Sequence, residues 1–506
     1  MLRSLQLLAA LAVCTALACA PGDAPPPPVG GSCDGGTPAS FKTCAPPGSQ
    51  RFVDGHVVGP ASAPAAGACN KPVGVASSGW NVQKLGPMSV GSAASFLVPT
   101  CTGSVSIVEQ AIHASDSVQI NSSTTPNAAS PTSIKDPNGR TLLDSPYTSG
   151  STQPQDALIW DGSLSPSTGA LTFPDSTPLL TEVATNNQLP SGTWTFQVDD
   201  LANDCTKFSN CTGGDTSGNY DVTVITKPTA PASGTVDVAF YLVDNGGLSS
   251  TTATAQAADP ATPIGRMIQT LTTIYGRAGI CLGTVTFYDV PSWAQNAYAT
   301  TIDADKTGPC DNLNQMFANL SQPGDTLNFF LVTQISATSN TGGTTMVVGI
   351  DGTIPGPSTV GGTIHSGAAV SIADLSSPGC LPGTVDFSGC GADRTAYITA
   401  HEGGHWLGLY HTTESTGDAF DSLTDTAQCP CPTDSSLPTC RPASAPAGTV
   451  CGSDPSKNYQ VTVDDCTKST KCGGGDDLMF WLIGSGSVGN LSAQQGSVMR
   501  ANPVVQ

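Results

Sequence analysis

The stretch Thr399-Ala-His-Glu-Gly-Gly-His-Trp-Leu-Gly-Leu-Tyr-His411 constrains the fold more than any other. His401 and His405 stand four apart, so their rings share one face if the chain is helical there. Two neutral imidazoles one turn apart can bind a single zinc ion. Glu402 beside them is placed to take a proton from a water that the metal activates. Gly408 lets the chain leave the helix in a backbone conformation that other residues resist. That turn brings His411 round as a third ligand and leaves one position open, the pattern of a catalytic rather than a structural zinc site. A bare His-Glu-x-x-His is a weak signal, and a solvated helix with accidental histidines is the plain alternative. Only six histidines occur in 506 residues and three fall here, with the glycine in place, which argues against accident.

The length suggests two or three domains. The formal charge of −21 argues against nucleic acid or an anionic membrane surface as partner, since both reward basic patches. Few charged residues and many Gly, Pro, Ser and Thr suit an extracellular, turn-rich chain. Residues 1–20 read as a signal for export: Met1-Leu-Arg-Ser precedes an apolar run from Leu5 to Ala18, too short to span a bilayer. Ala18-Cys-Ala20 fits a small-x-small cleavage site. Ala16-Leu-Ala-Cys19 resembles a bacterial lipoprotein box, which would put a lipid anchor on Cys19 and hold the chain at the cell surface or outer membrane. Of eighteen cysteines, sixteen lie beyond Cys19, an even number that predicts a disulfide framework. Cys205/Cys211, Cys380/Cys390 and Cys466/Cys472 are close enough in sequence for local bridges. A second, cysteine-built zinc site is the alternative, and Cys429-Pro-Cys431 lacks the usual two-residue gap for it.

Residues 21–74 are rich in Pro, Gly, Ala and Ser without hydrophobic period and read as a tether or leader. Cys33, Cys44 and Cys69 there could occupy an open metal position and hold an enzyme latent; the even count favours bridges instead. Residues 75–226 read as an all-β sandwich. Ser104–Val108, Ser117–Ile120, Ala157–Trp160 and Trp194–Val198 are short strand-like runs between turn signals, of which Asp136-Pro-Asn-Gly139 is the strongest. Leu189–Asp200 followed by Tyr220–Ile225 resembles the last strands of the P-domain or pre-peptidase sandwiches attached to secreted proteases. Asp199-Asp200 offers oxygen ligands to calcium, although solvated turn carboxylates are commoner.

Residues 227–234, Lys227-Pro-Thr-Ala-Pro-Ala-Ser and Gly234, read as a linker. Beyond it Val236–Val243 predicts a strand buried on both faces. Thr262 is placed to cap a helix with Pro263 at its first position. Ile264, Met267, Ile268, Leu271, Ile274 and Tyr275 then repeat at helical spacing and predict core. Val285–Tyr288 and Leu327–Val332 predict further strands. Thr363–Ile372 alternates like a strand with a solvated face; beside a cleft it could pair with an extended substrate, with His365 on its surface. Asp393 is placed to cap a helix from Arg394 to about Leu409 that carries the histidines.

With that helix following such a sheet, residues 235–506 resemble the metzincin zinc metalloproteases, more narrowly the pappalysin-like group. Asp421-Ser-Leu-Thr-Asp-Thr-Ala-Gln-Cys429 resembles the group's Asp-Thr-Pro segment, with Ala427 for Pro. Gly475-Asp-Asp-Leu-Met-Phe-Trp481 resembles its methionine turn, which implies that Met479 packs beneath the ligands. Asp477 and Trp481 stand where the group commonly has Asn and Tyr. Ser492 and Gln495 form a capping box for a last helix, which also fits the group. The expectation is therefore an α/β (α+β) metzincin-type catalytic domain preceded by an all-β sandwich. It would be a secreted or surface-anchored zinc endopeptidase acting on protein or peptide substrates, with His401, His405 and His411 as ligands and Glu402 as general base. An inactive surface binding protein and a zinc hydrolase of non-peptide substrates are the alternatives.

Overall fold

From Gly234 onward the chain is organised on one sheet whose central strand is apolar on both faces. The computed structural model describes residues 50–57, 74–75, 80–111, 117–120, 123–126, 129–143, 168–200, 211–212, 219–228, 233–243, 247–298, 302–304, 312–322, 325–338, 344–358, 360–361, 363, 365–415, 417, 419–430, 460–468, 473–484 and 486–506. The main sheet contains β1 Arg51–Val57, β2 Gly234–Leu242, β3 Ile280–Asp289, β4 Thr326–Val332, β5 Gly349–Asp351 and β6 Ala368–Ser371. Their spatial order is β1–β3–β2–β4–β6–β5, and every pair is parallel except β5 with β6. The fold is mixed α/β with several sheets.

Side chains alternate across β2. Val236, Val238, Phe240 and Leu242 join one buried cluster with the helices Pro263–Arg277 and Gly391–Trp406. Ala239, Tyr241 and Val243 join a second with the helices Ser292–Tyr298 and Asn312–Leu320. Parallel register aligns like residues: Phe240 stacks on Phe287 and Phe329, and Tyr241 on Tyr288 and Phe330, each pair within 5.6 Å between ring centroids. Both faces are therefore covered, as parallel sheets require. Each buried aromatic contributes on the order of 2 kcal/mol of apolar transfer. Thr262 caps its helix as expected, accepting from Gly265 N, and all six periodic apolar residues are buried.

In the segment before this sheet, two antiparallel sheets pack on a shared core. One has strands 168–173, 102–111, 219–228 and 81–84 in that order, with 88–89 beside 219–228; the other has 93–98, 192–200 and 129–135. Phe96, Val105, Ile107, Ile134, Phe173, Trp194 and Val222, drawn from both sheets, share one buried cluster. The predicted turn forms: Gly139 N donates to Asp136 O, and the Asp136 carboxylate accepts from Asn138 N and Arg140 N. This segment, read as all-β, also carries a helix, Thr177–Asn186, with a proline in its first turn. Ala157–Trp160, the signal, Cys19 and the leader cysteines lie outside the described residues, as do the side chains of Asp199 and Asp200.

Four expectations are corrected. Residues 51–57, read as part of a tether, form the outer parallel strand of the main sheet. Their place comes from backbone pairing and from Asp54, whose carboxylate accepts from Ser250 Oγ and Thr251 Oγ1, rather than from a hydrophobic period. Lys227, read as linker, ends strand 219–228 and is buried. Its ammonium donates to the carbonyls of Arg500, Asn502 and Val505 at 2.6–2.9 Å and lies 5.2 Å from the Trp80 ring centroid. Burial pulls its pKa down to about 7, with Arg500 adding to the effect, while these carbonyls stabilise the charged form. Among the described residues of Thr363–Ile372 only 368–371 is strand, and it is paired on both sides, so it offers no free edge. Finally, Cys466 bridges Cys429 rather than Cys472. The Cys380–Cys390 bridge forms as expected, and Cys101 and Cys281 are also disulfide-bonded. Among the described residues no helix is long and apolar enough to cross a membrane.

Candidate metal centre

The histidine helix runs Gly391–Trp406 with Cys390, not Asp393, at its N-cap. Asp393 is drawn inside instead. Arg266 donates to both of its oxygens at 2.8 Å, and Thr270 Oγ1 and Asp386 N donate to it as well. Burial alone would raise this carboxyl; the Arg266, Thr270 and Asp386 contacts outweigh that and hold it below its usual range. An ion pair between the two packed helices thus sets where the histidine face points.

Mid-helix glycines cost about 1 kcal/mol each relative to alanine, yet this helix carries two together. A Cβ at Gly403 would stand 2.1 Å from Tyr275 Oη and 2.8 Å from Phe329 Cζ. One at Gly404 would stand 2.6 Å from Met479 Sδ. The glycines let the helix lie flat on the core helix, on β4 and on the segment bearing Met479. Gly408 has φ +109°, and the chain turns out of the helix there, with Gly408 N donating to His405 O and Leu409 N to Gly404 O.

That exit carries His411 back over the helix. Its Nε2 lies 3.3 Å from His401 Nε2 and 3.2 Å from His405 Nε2. One ligand atom from each histidine falls within 4.8 Å of the others. Nitrogens held tetrahedrally at zinc–nitrogen distances would be about 3.3 Å apart, so the set fits a metal of that size. Each remote nitrogen has a partner: His401 Nδ1 meets Leu478 O at 2.7 Å, His405 Nδ1 meets Leu409 O at 2.7 Å, and His411 Nδ1 meets Glu414 Oε1 at 3.0 Å. A carbonyl or carboxylate accepts only from an N–H, which assigns the proton to Nδ1 and turns the Nε2 lone pairs inward. Burial, then the His411 charge, pulls the pKa of His401 down to about 3; burial, then its histidine neighbours, pulls His405 well below its usual value. Both rings are neutral at pH 7, as metal ligands must be.

Glu402 is 7% exposed. Strand β5 passes against it: a Cβ at Gly349 would stand 2.4 Å from its Oε1. Met479 is fully buried, and its carbonyl accepts from Thr412 N. The turn preceding it is held by Asp477, whose Oδ1 accepts from Met479 N and Gln495 Nε2, and by Tyr397 Oη on the carbonyls of Asp477 and Leu478. Asp425 accepts from Ser492 Oγ and Gln494 N, fastening the run after the third histidine to the start of the closing helix Ala493–Ala501, whose capping box forms as expected. Trp481 donates to Val461 O and packs in a satellite core with Val461, Val463 and Phe480. His365 is buried, not a surface residue; its Nδ1 meets Gly352 O and it is not in the histidine group. Sequence reasoning missed Glu414 and Gly349. A carboxylate three residues past His411 was the only signal for the first; the second had none, since its role is set by a strand 53 positions from Glu402 in sequence.

No protein-family model and no curated protein matches the chain. Among solved structures, "Structure of a chaperone-substrate complex" aligns with 38% of this chain and 26% of its own at 14% identity and a TM-score of 0.20, a likeness that carries no argument.

Proposed function

We propose that this chain is an exported zinc-dependent endopeptidase with a metzincin-type α/β catalytic unit of the pappalysin-like kind, preceded by a β-sandwich. The observation that carries the reading is the convergence of three imidazoles beside a buried glutamate that lies against a sheet edge. His401, His405 and His411 would hold the ion. Zinc there would supply Lewis-acid polarisation of a carbonyl and a water acidic enough to ionise near neutral pH. Glu402 takes the proton of the attacking water and returns it to the departing amine. β5, antiparallel at the end of the sheet, offers an extended peptide a backbone partner that leads past Glu402. This role moves from Thr363–Ile372, whose strand is already paired on both sides.

The test is metal analysis with caseinolysis of the mature protein and of Glu402→Ala. About one zinc per chain is expected in both, with cleavage by the variant lower by about 10²- to 10⁴-fold. Full activity in Glu402→Ala refutes the mechanism.

A further inference from the structure

The three ligand rings are not held alike. His401 and His405 lie on the helix, and their Nδ1 atoms meet main-chain carbonyls, Leu478 O in the buried turn before Met479 and Leu409 O just past the helix end. Neither acceptor is a side chain. His411 lies beyond the helix exit, its side chain is 22% exposed, and the partner of its Nδ1 is the Glu414 carboxylate at 3.0 Å. A neutral imidazole in a loop has two tautomers and a soft ring torsion. Something has to select the tautomer whose Nε2 lone pair points to the other two rings.

Glu414 is anchored well enough to do so. Its N–H donates to Ala419 O at 3.0 Å, and its carbonyl accepts from Gly417 N at 2.8 Å. Next to it, Ser415 O accepts from Val461 N, tying this turn to the segment that the Cys429–Cys466 bridge secures. Two residues earlier, Thr412 N donates to Met479 O. The carboxylate is not a fourth ligand: it meets the nitrogen on the far side of the ring from the point where the Nε2 atoms gather.

We propose that Glu414 is a positioning residue for the metal centre, fixing the tautomer and rotation of His411 through the Nδ1 hydrogen bond. The proposal rests on the reading of the three histidines as a metal site. It acts through hydrogen-bond acceptance, so a neutral acceptor of the same length should serve. The mechanism asks nothing of Glu414 in proton transfer.

Zinc affinity, measured by competition with a chromophoric chelator on the full mature chain, tests it. Glu414→Ala should bind zinc about 10- to 100-fold more weakly, and Glu414→Gln should stay within a few-fold of the wild type. The unfolding midpoints of the metal-free proteins should coincide. Wild-type affinity in Glu414→Ala overturns the proposal. So does Glu414→Gln as weak as Glu414→Ala, which would make charge rather than geometry the cause, and so does a lowered metal-free midpoint in Glu414→Ala that accounts for its loss. A wild-type chain with no tight zinc overturns the metal-site reading itself, and this inference with it.

Discussion

Replacing Gly349 with alanine probes the proposed general base without touching a ligand. An alanine Cβ would stand 2.4 Å from Glu402 Oε1, 2.6 Å from Cγ and 2.7 Å from Cδ. Ordinary contacts between heavy atoms lie near 3.5–4.0 Å, so the carboxylate must retreat by about 1 Å. Being the end of a flexible side chain, it can yield. At 7% exposure it has no open solvent to yield into, so it moves off its working position. A displacement of about 1 Å costs roughly 10²-fold in rate, equivalent to about 2.7 kcal/mol of transition-state stabilisation. None of the histidine nitrogens is among the three atoms nearest the new methyl. Gly349→Ala should therefore lower kcat on a peptide substrate by about 10²-fold, with KM nearly unchanged and zinc content still about one per chain. Steady-state kinetics alongside metal analysis reads all three. Wild-type kcat would refute the reasoning, since Glu402 would then be either free of the strand or not the base. Loss of zinc together with activity would refute it too, by showing that the strand bears on the ligands.

Two further outcomes concern stability. Lys227→Met keeps the aliphatic stem but strips the donor from three buried carbonyls, and should destabilise the fold by about 3 kcal/mol; a urea midpoint at pH 6 equal to the wild type would contradict a stabilising role for these hydrogen bonds. Burial foremost, with Asp421 and Asp476 adding to it, raises Asp477 to about 7, against about 3.8 for an ordinary aspartate. Between these two values the folded state holds a proton that the unfolded chain has released, so stability falls as pH rises from about 4 to 7 and is flat above. Asp477→Asn keeps an acceptor for Met479 N and Gln495 Nε2, and should gain on the order of 1–3 kcal/mol at pH 8 while losing nothing at pH 4; equal thermal midpoints at pH 8 would count against a buried charge there.

Much of the fold was legible because its signals are local in the chain. The Thr262–Pro263 start, the six-residue apolar stripe after it, the Asp136–Gly139 turn, the Ser492–Gln495 box and the run of β2 that is apolar on both faces each depend on neighbours a few positions away. The histidine helix and its exit at Gly408 were legible for the same reason: a four-residue spacing and one glycine with positive φ state the geometry by themselves.

The contacts that override the local pattern are long-range. Asp393 has the character of a helix cap, yet Arg266, 127 positions away, claims it for the core. Lys227 sits among prolines and reads as linker, until the carbonyls at the end of the closing helix, more than 270 positions on, surround its ammonium. Residues 51–57 have no hydrophobic period, because an outer strand can take its place from the hydrogen-bonding edge of β3. His365 alternates with its neighbours as a surface residue would, but the backbone at Gly352 covers it.

By itself the sequence determined the three histidines, the glutamate beside them and the helix that spaces them, since helical geometry converts four residues into one face. Tertiary structure decided which strand lies along Glu402, what turns His411 inward and how Met479 meets the helix. Those depend on atoms brought together from distant parts of the chain, and no local pattern carries their positions.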